Sequence, residues 1–366
     1  MQRFTKLLFL SLGLLSYQLL PAQSGETKPP VTNSATESTD AIEVPPVTEE
    51  EESAVPGKDI SFSERTRLIF SAIESGDIDM ADTLANSRVY YRHNEEGETV
   101  LTQAIVNSDV DMVRMLTKRA VINLKNQDGE TPLTLAIKQG NTEIIALVMH
   151  RAKAALKNDL DETPLWLAID HGDLFIAQKL IDKGARVDHK SKGETSVFQA
   201  VRTDQLNMLA LLIKNGANPS LANAEGLIPL QVAVTSQKIN MAKILLNRSM
   251  QPYEDANWKN AIGEPLLVQA VENNDYEMVR LLLSHGAQTN YADHMDNTPL
   301  HMAANLGYKR IASLLLEHGA DPASTNMLGE TARQMAESKG HQELLDIFSM
   351  TGKGTTSSFA SSYDQR

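Results

Sequence analysis

Apolar residues along this chain fall into short runs at helical spacing, two runs to a unit, with glycine and polar residues between them. The clearest unit runs from Asp296 to Pro322. There Thr298 predicts a helix N-cap, with Pro299 in the first helical position, where a missing N–H costs nothing. Ala303 and Ala304 give that helix a small-residue face, and Gly307 supplies the left-handed turn that stops it. Ile311, Leu314 and Leu315 then recur on one side of a second helix, which Gly319 ends in the same way. So short a pair cannot bury its apolar side alone and requires copies to stack on it.

The copies are present. With Asp296 as a marker, the series Gly97, Gly129, Asp161, Gly193, Gly226, Gly263, Asp296 and Gly329 advances by 32, 32, 32, 33, 37, 33 and 33 residues. A turn residue follows each marker by eleven positions: Ser108, Gly140, Gly172, Asp204, Gln237, Asn274, Gly307 and Gly340. Gly76, 32 residues before Ser108, marks a degenerate first unit, so the pattern predicts nine units with atypical ends. The 37-residue step places extra residues around Arg248–Trp258. They are expected to protrude as a loop or distort the stack, making the array weakest near residues 248–265. Pro265, where the other units favour Thr, removes a side-chain cap, and the second helix ending at His150-Arg151-Ala152 lacks its glycine.

Thr-Pro-Leu or a variant opens most units, and Gly-Ala follows the second helix at Gly184-Ala185, Gly216-Ala217, Gly286-Ala287 and Gly319-Ala320. The full Thr-Pro-Leu-His-x-Ala motif stands at Thr298-Pro299-Leu300-His301-Met302-Ala303. On these residues the stretch from about 60 to 350 resembles the ankyrin repeat family. The resemblance implies an all-α solenoid of stacked helix–turn–helix units joined by hairpin-like loops, with His301 structural rather than catalytic. It also implies a contact surface on one concave side, built from loop tips and the ends of first helices.

The flanks read differently. Residues 1–23 carry Arg3 and Lys6, an apolar run from Leu7 to Leu20, and small Ala22 and Ser24, which together predict a secretory signal peptide. Its apolar run is short for the roughly 30 Å of a bilayer interior, so cleavage rather than anchoring is expected. Residues 24–58, rich in Pro, Ser, Thr and Glu and containing Glu49 to Glu52, predict a disordered acidic linker. The array is assigned to residues 59–350, and residues 351–366 to a flexible tail. No later segment is continuously apolar enough for stable membrane insertion.

Composition narrows the function. A formal charge of −13 argues against nucleic acid as a partner and against electrostatic attachment to anionic lipid. With no cysteine there is no disulfide, thiolate nucleophile, Cys zinc site or lipidated Cys. The nine histidines are scattered, with no HExxH pair, and neither a G-x-S-x-G elbow nor a phosphate-binding G-x-x-x-x-G-K-[ST] loop occurs. Asp293-His294-x-Asp296 has two or three metal-type ligands, but its phase puts it at a loop tip, where a solvated turn is expected. No cofactor, metal or catalytic residue is assigned, and a periplasmic hydrolase or metal enzyme is left without a motif.

What remains is a binding surface. Glu98, Glu130, Glu162, Glu194, Glu264 and Glu330 follow their markers directly, so stacked units would place them in a row. Each gains about 0.3–1 kcal/mol beside an exposed helix N-terminus. A sharper expectation is an acidic stripe for a partner with a basic surface. Candidate contacts are Gln127, Lys192 and Met295 at loop tips, Lys138, His171 and Arg202 at helix ends, Tyr91 and Arg92 in a connection, and Trp258 in the insertion. The chain thus reads as a monomeric, non-enzymatic scaffold, periplasmic or secreted, that binds another protein. A secreted effector acting on host proteins is the alternative.

Overall fold

The computed structural model describes residues 60–85 and 88–351, with Thr351 described in its backbone only. The segments expected to form a signal peptide (1–23), an acidic linker (24–58) and a tail (351–366) lie outside the described residues, save the backbone of Thr351. The described residues belong to one compact unit, in which helices come in pairs. The first unit pairs α1 (Phe62–Ser75) with α2 (Ile78–Leu84), and a 3-10 turn at Val89–Tyr91 leads onward. Next come α3 (Val100–Val106) with α4 (Val110–Leu116), α5 (Pro132–Gln139) with α6 (Thr142–Arg151), and α7 (Pro164–Asp170) with α8 (Leu174–Asp182). The fifth and sixth units hold α9 (Ser196–Arg202), α10 (Leu206–Lys214), α11 (Pro229–Thr235) and α12 (Ile239–Arg248). After a short helix α13 (Pro252–Ala256), the last three units are α14 (Leu266–Glu272) with α15 (Tyr276–Ser284), α16 (Pro299–Leu306) with α17 (Lys309–Glu317), and α18 (Ala332–Lys339) with α19 (Gln342–Thr351). Among the described residues, extended pairing is limited to isolated bridges.

The local chemistry explains each boundary. Thr99, Thr131, Thr163, Thr195, Thr298 and Thr331 accept backbone N–H groups as N-caps of the first helices. Units six and seven, which have Ile228 and Pro265 in that position, have no side-chain cap. Each first helix ends on a left-handed residue: glycine at Gly140, Gly172, Gly307 and Gly340, and non-glycine at Ser108 (φ 56), Asp204 (φ 62), Gln237 (φ 56) and Asn274 (φ 53). Burial then follows the repeat. In α16 and α17, Leu300, Ala303, Ala304, Ile311, Ala312, Leu314 and Leu315 are buried.

First helices pack on first helices, as α1 on α3, α3 on α5, α14 on α16 and α16 on α18. Second helices pack on second helices, as α2 on α4, α10 on α12, α15 on α17 and α17 on α19. Two helical layers result, with the apolar core between and along them. Alanine in the first-helix layer permits close approach, and the large residues Ile69, Leu101, Met112, Leu133, Ile144 and Leu180 fill the space between layers.

The insertion departs from expectation. Residues after α12 do not protrude but fold back as α13, burying Ala256 and packing Trp258, half-buried, against the core. The Ser220 and Ser249 hydroxyls both donate to Asp255 Oδ2 at 2.5 Å. On the other side Asn257 donates to the Gly286 carbonyl at 3.0 Å and accepts from the Gln288 N–H at 2.7 Å. The extra residues thus tie the connections of neighbouring units together, because α13 offers polar side chains to both sides.

Candidate partner-binding surface

Seven first helices, α3, α5, α7, α11, α14, α16 and α18, are preceded by a finger, a tight loop whose base is a polar pair. An Asn or Asp three residues before the marker accepts, through Oδ1, the N–H of the residue just after the marker. This bond is 2.8 Å at Asn94–Glu98 and Asn126–Glu130, and 2.9 Å at Asn158–Glu162, Asn223–Leu227, Asn260–Glu264 and Asp293–Asn297. The backbone N–H of the first residue returns a bond to the carbonyl of the last, as at Asn126–Glu130 (3.0 Å). Successive fingers also touch. The Gln127 N–H donates to the Gly97 carbonyl at 2.9 Å, Ala224 to Gly193 at 2.8 Å and Met327 to Met295 at 3.0 Å. At Gly129 this approach leaves no room for a side chain, since a Cβ there would lie 2.4 Å from Cβ of Asp159.

The row of glutamates therefore sits at finger bases, and beneath it runs a ladder of amides. Asn126 Nδ2 donates to Glu98 Oε1 at 3.0 Å, and Asn158 Nδ2 donates to Glu130 at 3.1 Å and to Glu162 Oε2 at 2.8 Å. Lys138 bridges Glu130 (2.6 Å) and Glu162 (2.7 Å), Lys192 binds Glu162 at 2.6 Å, and Arg202 binds Glu194 at 3.1 Å. Burial by itself would push the Glu162 carboxyl up; hydrogen bonds from Lys138, Lys192 and Asn158 outweigh it and hold the group at about 2. Desolvation likewise pulls the Lys138 ammonium down, but Glu130 and Glu162 raise it overall. In the third to fifth units the expected open acidic stripe is thus absent. Glu130 and Glu162 are buried and neutralised, and their cations come from the residues picked out as separate contacts.

The other candidates are dispersed. Gln127, Lys192 and Met295 lie exposed on fingers, and His171 and Arg202 are exposed at first-helix ends. Tyr91 is half-buried, and Arg92 stacks over the Phe62 ring at 5.1 Å. Trp258 covers the array's edge rather than standing free, as its packing on the core shows. His301 is fully buried: its Nδ1 lies 2.8 Å from Thr298 Oγ1 and its Nε2 3.0 Å from the Glu330 carbonyl. Desolvation lowers its pKa, consistent with a neutral ring that links two units. The ladder asparagines escape a reading centred on charge. Their signal is periodic: Asn94, Asn126, Asn158, Asn223, Asn260, Asp293 and Asn326 all fall three residues before a marker.

Among the described residues no group of metal-type ligands converges, and no helix is long and apolar enough to cross a membrane. Stacked helix pairs bearing hydrogen-bonded fingers define a repeat solenoid with one continuous finger and first-helix face. Comparison with known proteins places that solenoid in a family. The description ankyrin repeats (3 copies) matches residues 68–161, 118–191, 147–223 and 230–326, more than half of the chain. The chain belongs to the ankyrin repeat family.

Individual relatives match shorter stretches. Transient receptor potential cation channel subfamily A member 1 of Homo sapiens is 29% identical over 106 residues, 29% of this chain and 9% of its own. The phosphocholine transferase AnkX of Legionella pneumophila is 31% identical over 96 residues, 26% of this chain and 10% of its own. The chain spans about a tenth of the length of these two curated relatives. Among solved structures, the ankyrin repeat domain of Bcl-3, a member of the IkappaB protein family, superposes with a TM-score of 0.52 at 27% identity, covering 60% of this chain and all of that domain.

Proposed function

We propose that this protein is a non-enzymatic scaffold that holds another protein against its fingers and first-helix ends. Ankyrin repeats are protein–protein interaction scaffolds. The observation that carries the reading is the division of labour in each unit. In the third to fifth units polar groups at the finger bases are consumed by the amide ladder and its ion pairs, whereas along the array tip residues such as Gln127, Asp128, Leu160 and Met295 are exposed and differ from unit to unit. A surface that is stiff underneath and variable on top suits recognition, because little side-chain or loop entropy is lost on binding. The chain acts as a monomer, with export to the periplasm or beyond, as the signal-like residues 1–23 suggest. A secreted effector acting on host proteins is the second reading, and the similarity to AnkX favours it over a short stretch.

The immobilised full chain should retain a specific protein from extract of the source cell, and loss of that protein on reversing exposed tip charges should follow. Retention of nothing above a scrambled-surface control would sink the scaffold reading. Fractionation of the native cell decides between periplasm and secretion.

A further inference from the structure

The cations that neutralise the glutamate row in the third to fifth units are missing from the seventh. In the third and fifth units the residue eight positions after the row glutamate is a cation, and the pairs Glu130–Lys138 and Glu194–Arg202 are in contact at 2.6 and 3.1 Å. In the fourth unit the step leads from Glu162 to Asp170, but Lys138 and Lys192 of the adjoining units still pair with Glu162; in the seventh it leads from Glu264 to Glu272 with no such cation among the described residues. The next finger normally offers an amide to the glutamate before it, as Asn126 does to Glu98 at 3.0 Å and Asn158 to Glu130 at 3.1 Å. In the eighth unit that position is Asp293. Glu264 keeps the amide of its own finger, Asn260 Nδ2 at 2.9 Å, but the two groups that would meet it from the helix end and from the next finger are both carboxylates.

No ion pair reaches Glu264, Glu272 or Asp293 among the described residues, and the neighbouring Lys259 is turned onto the Tyr291 ring at 4.5 Å. Partial desolvation, together with the facing charges of Glu264 and Asp293, pushes the Glu272 carboxyl up from its ordinary range, while the side chain stays open to solvent.

Two further observations point to an occupant. Gln269, one turn before Glu272, is only 6% exposed, and neither its Oε1 nor its Nε2 has a hydrogen-bond partner. The equivalent side chain in the second unit, Gln103, accepts from Asn94 Nδ2 at 2.8 Å. Gln269 shares the register of Gln103 on its first helix, and the Asn260 amide that would answer it is bonded to Glu264 instead. An unpaired buried amide is costly, and a polar group entering beside it would relieve that cost. Above the cluster the finger tips turn apolar: Ile262 is 63% exposed, Met295 40% and Leu328 72%, one tip per unit. In the second and third units the same position holds Glu96 and Asp128, and in the fourth Leu160, 58% exposed, stands alone between charged tips.

We infer that the seventh to ninth units form the specific docking surface for a protein segment that sets a lysine or arginine between Glu264, Glu272 and Asp293 and lays apolar side chains on Ile262, Met295 and Leu328. The inference rests on the scaffold reading and names the partner chemistry of that surface. A cation supplies the donors that the ladder lacks there, and the apolar tips exclude water from around it, which strengthens the pairing. Neither element alone selects a partner, since exposed carboxylates attract any cation weakly and are screened by salt.

The test is fluorescence anisotropy of a fluorescein-labelled peptide of alternating lysine and leucine, titrated with the full chain at physiological salt. Affinity should fall about tenfold, about 1.4 kcal/mol, in the Glu264→Gln/Glu272→Gln/Asp293→Asn variant, and by a similar factor in Ile262→Ser/Met295→Ser/Leu328→Ser. It should be unchanged in Glu95→Gln/Glu96→Gln/Asp128→Asn, which removes as much charge from the second and third units. Peptides with glutamate for lysine, or serine for leucine, should bind no better than the variants do. The carboxylate variant relieves like-charge repulsion, so its melting temperature should not fall below that of the parent, which separates lost binding from lost folding. Equal weakening by all three variants, or no weakening by the first two, would overturn the inference. A partner captured from extract that cross-links only to the second to fifth units would also overturn it, yet would leave the scaffold reading standing. Failure to capture any partner would count against that reading instead.

Discussion

At the scale of single residues, the finger bases show how one position serves opposite ends in different units. Glu162 accepts from Lys138, Lys192 and Asn158, and its carboxyl is held at about 2 against an ordinary 4.5. A folded-state value depressed in this way stabilises the fold above the unfolded value of 4.5, and the contribution is lost as pH falls toward 2. It amounts to roughly 2–3 kcal/mol once the partial exposure of Lys192 is discounted. The melting temperature should therefore drop between pH 5 and pH 2, and the drop should be shallower in Glu162→Gln, which starts lower at neutral pH. Equal slopes in parent and variant would remove Glu162 from that account. Glu272 has the opposite sign. Its folded value is raised, so its ionised form opposes folding, and Glu272→Gln should melt higher than the parent at neutral pH.

The elements follow rules that are plain in the sequence, and they fail where those rules do. Thr caps, Pro at the first helical position and turn residues eleven after each marker were all legible, because they act within a few residues. The amide ladder was not. An asparagine's local turn can be read from its own unit, but its bond to the preceding glutamate exists only once fingers stack. The fate of Lys138 and Lys192 was hidden for the same reason, since their carboxylates come from other units. The insertion differs in another way: its length suggests a loop, whereas Pro252 in a first-turn position and the Asp255 acceptor make a short, tethered helix. Left-handed strain gives a direct element-scale prediction. Ser108→Gly should stabilise the array by about 1 kcal/mol, because glycine adopts φ 56 without the Cβ clash. Gly129→Ala should destabilise it, since the new methyl meets Asp159. Chemical denaturation midpoints read both, and a stabilised Gly129→Ala would show that the fingers are not closely stacked.

Across the whole molecule, contacts run between neighbouring units, and so stability should behave as a sum over units and interfaces. Deleting residues 161–192, one period in phase, should leave a shorter array that still unfolds cooperatively; collapse to an unfolded chain would argue against nearest-neighbour stacking. The molecule's face is less uniform than its frame. Units three to five cancel their own charges, while units seven to nine leave carboxylates and apolar tips open to a partner. The most direct measurement of the central claim is amide hydrogen exchange on the full chain with and without the protein it captures. Slowed exchange should concentrate in the fingers and first-helix ends, most strongly from Ile262 to Leu328, with the second helices unchanged. Protection confined to the second helices, with finger amides exchanging as in the free protein, would contradict the account.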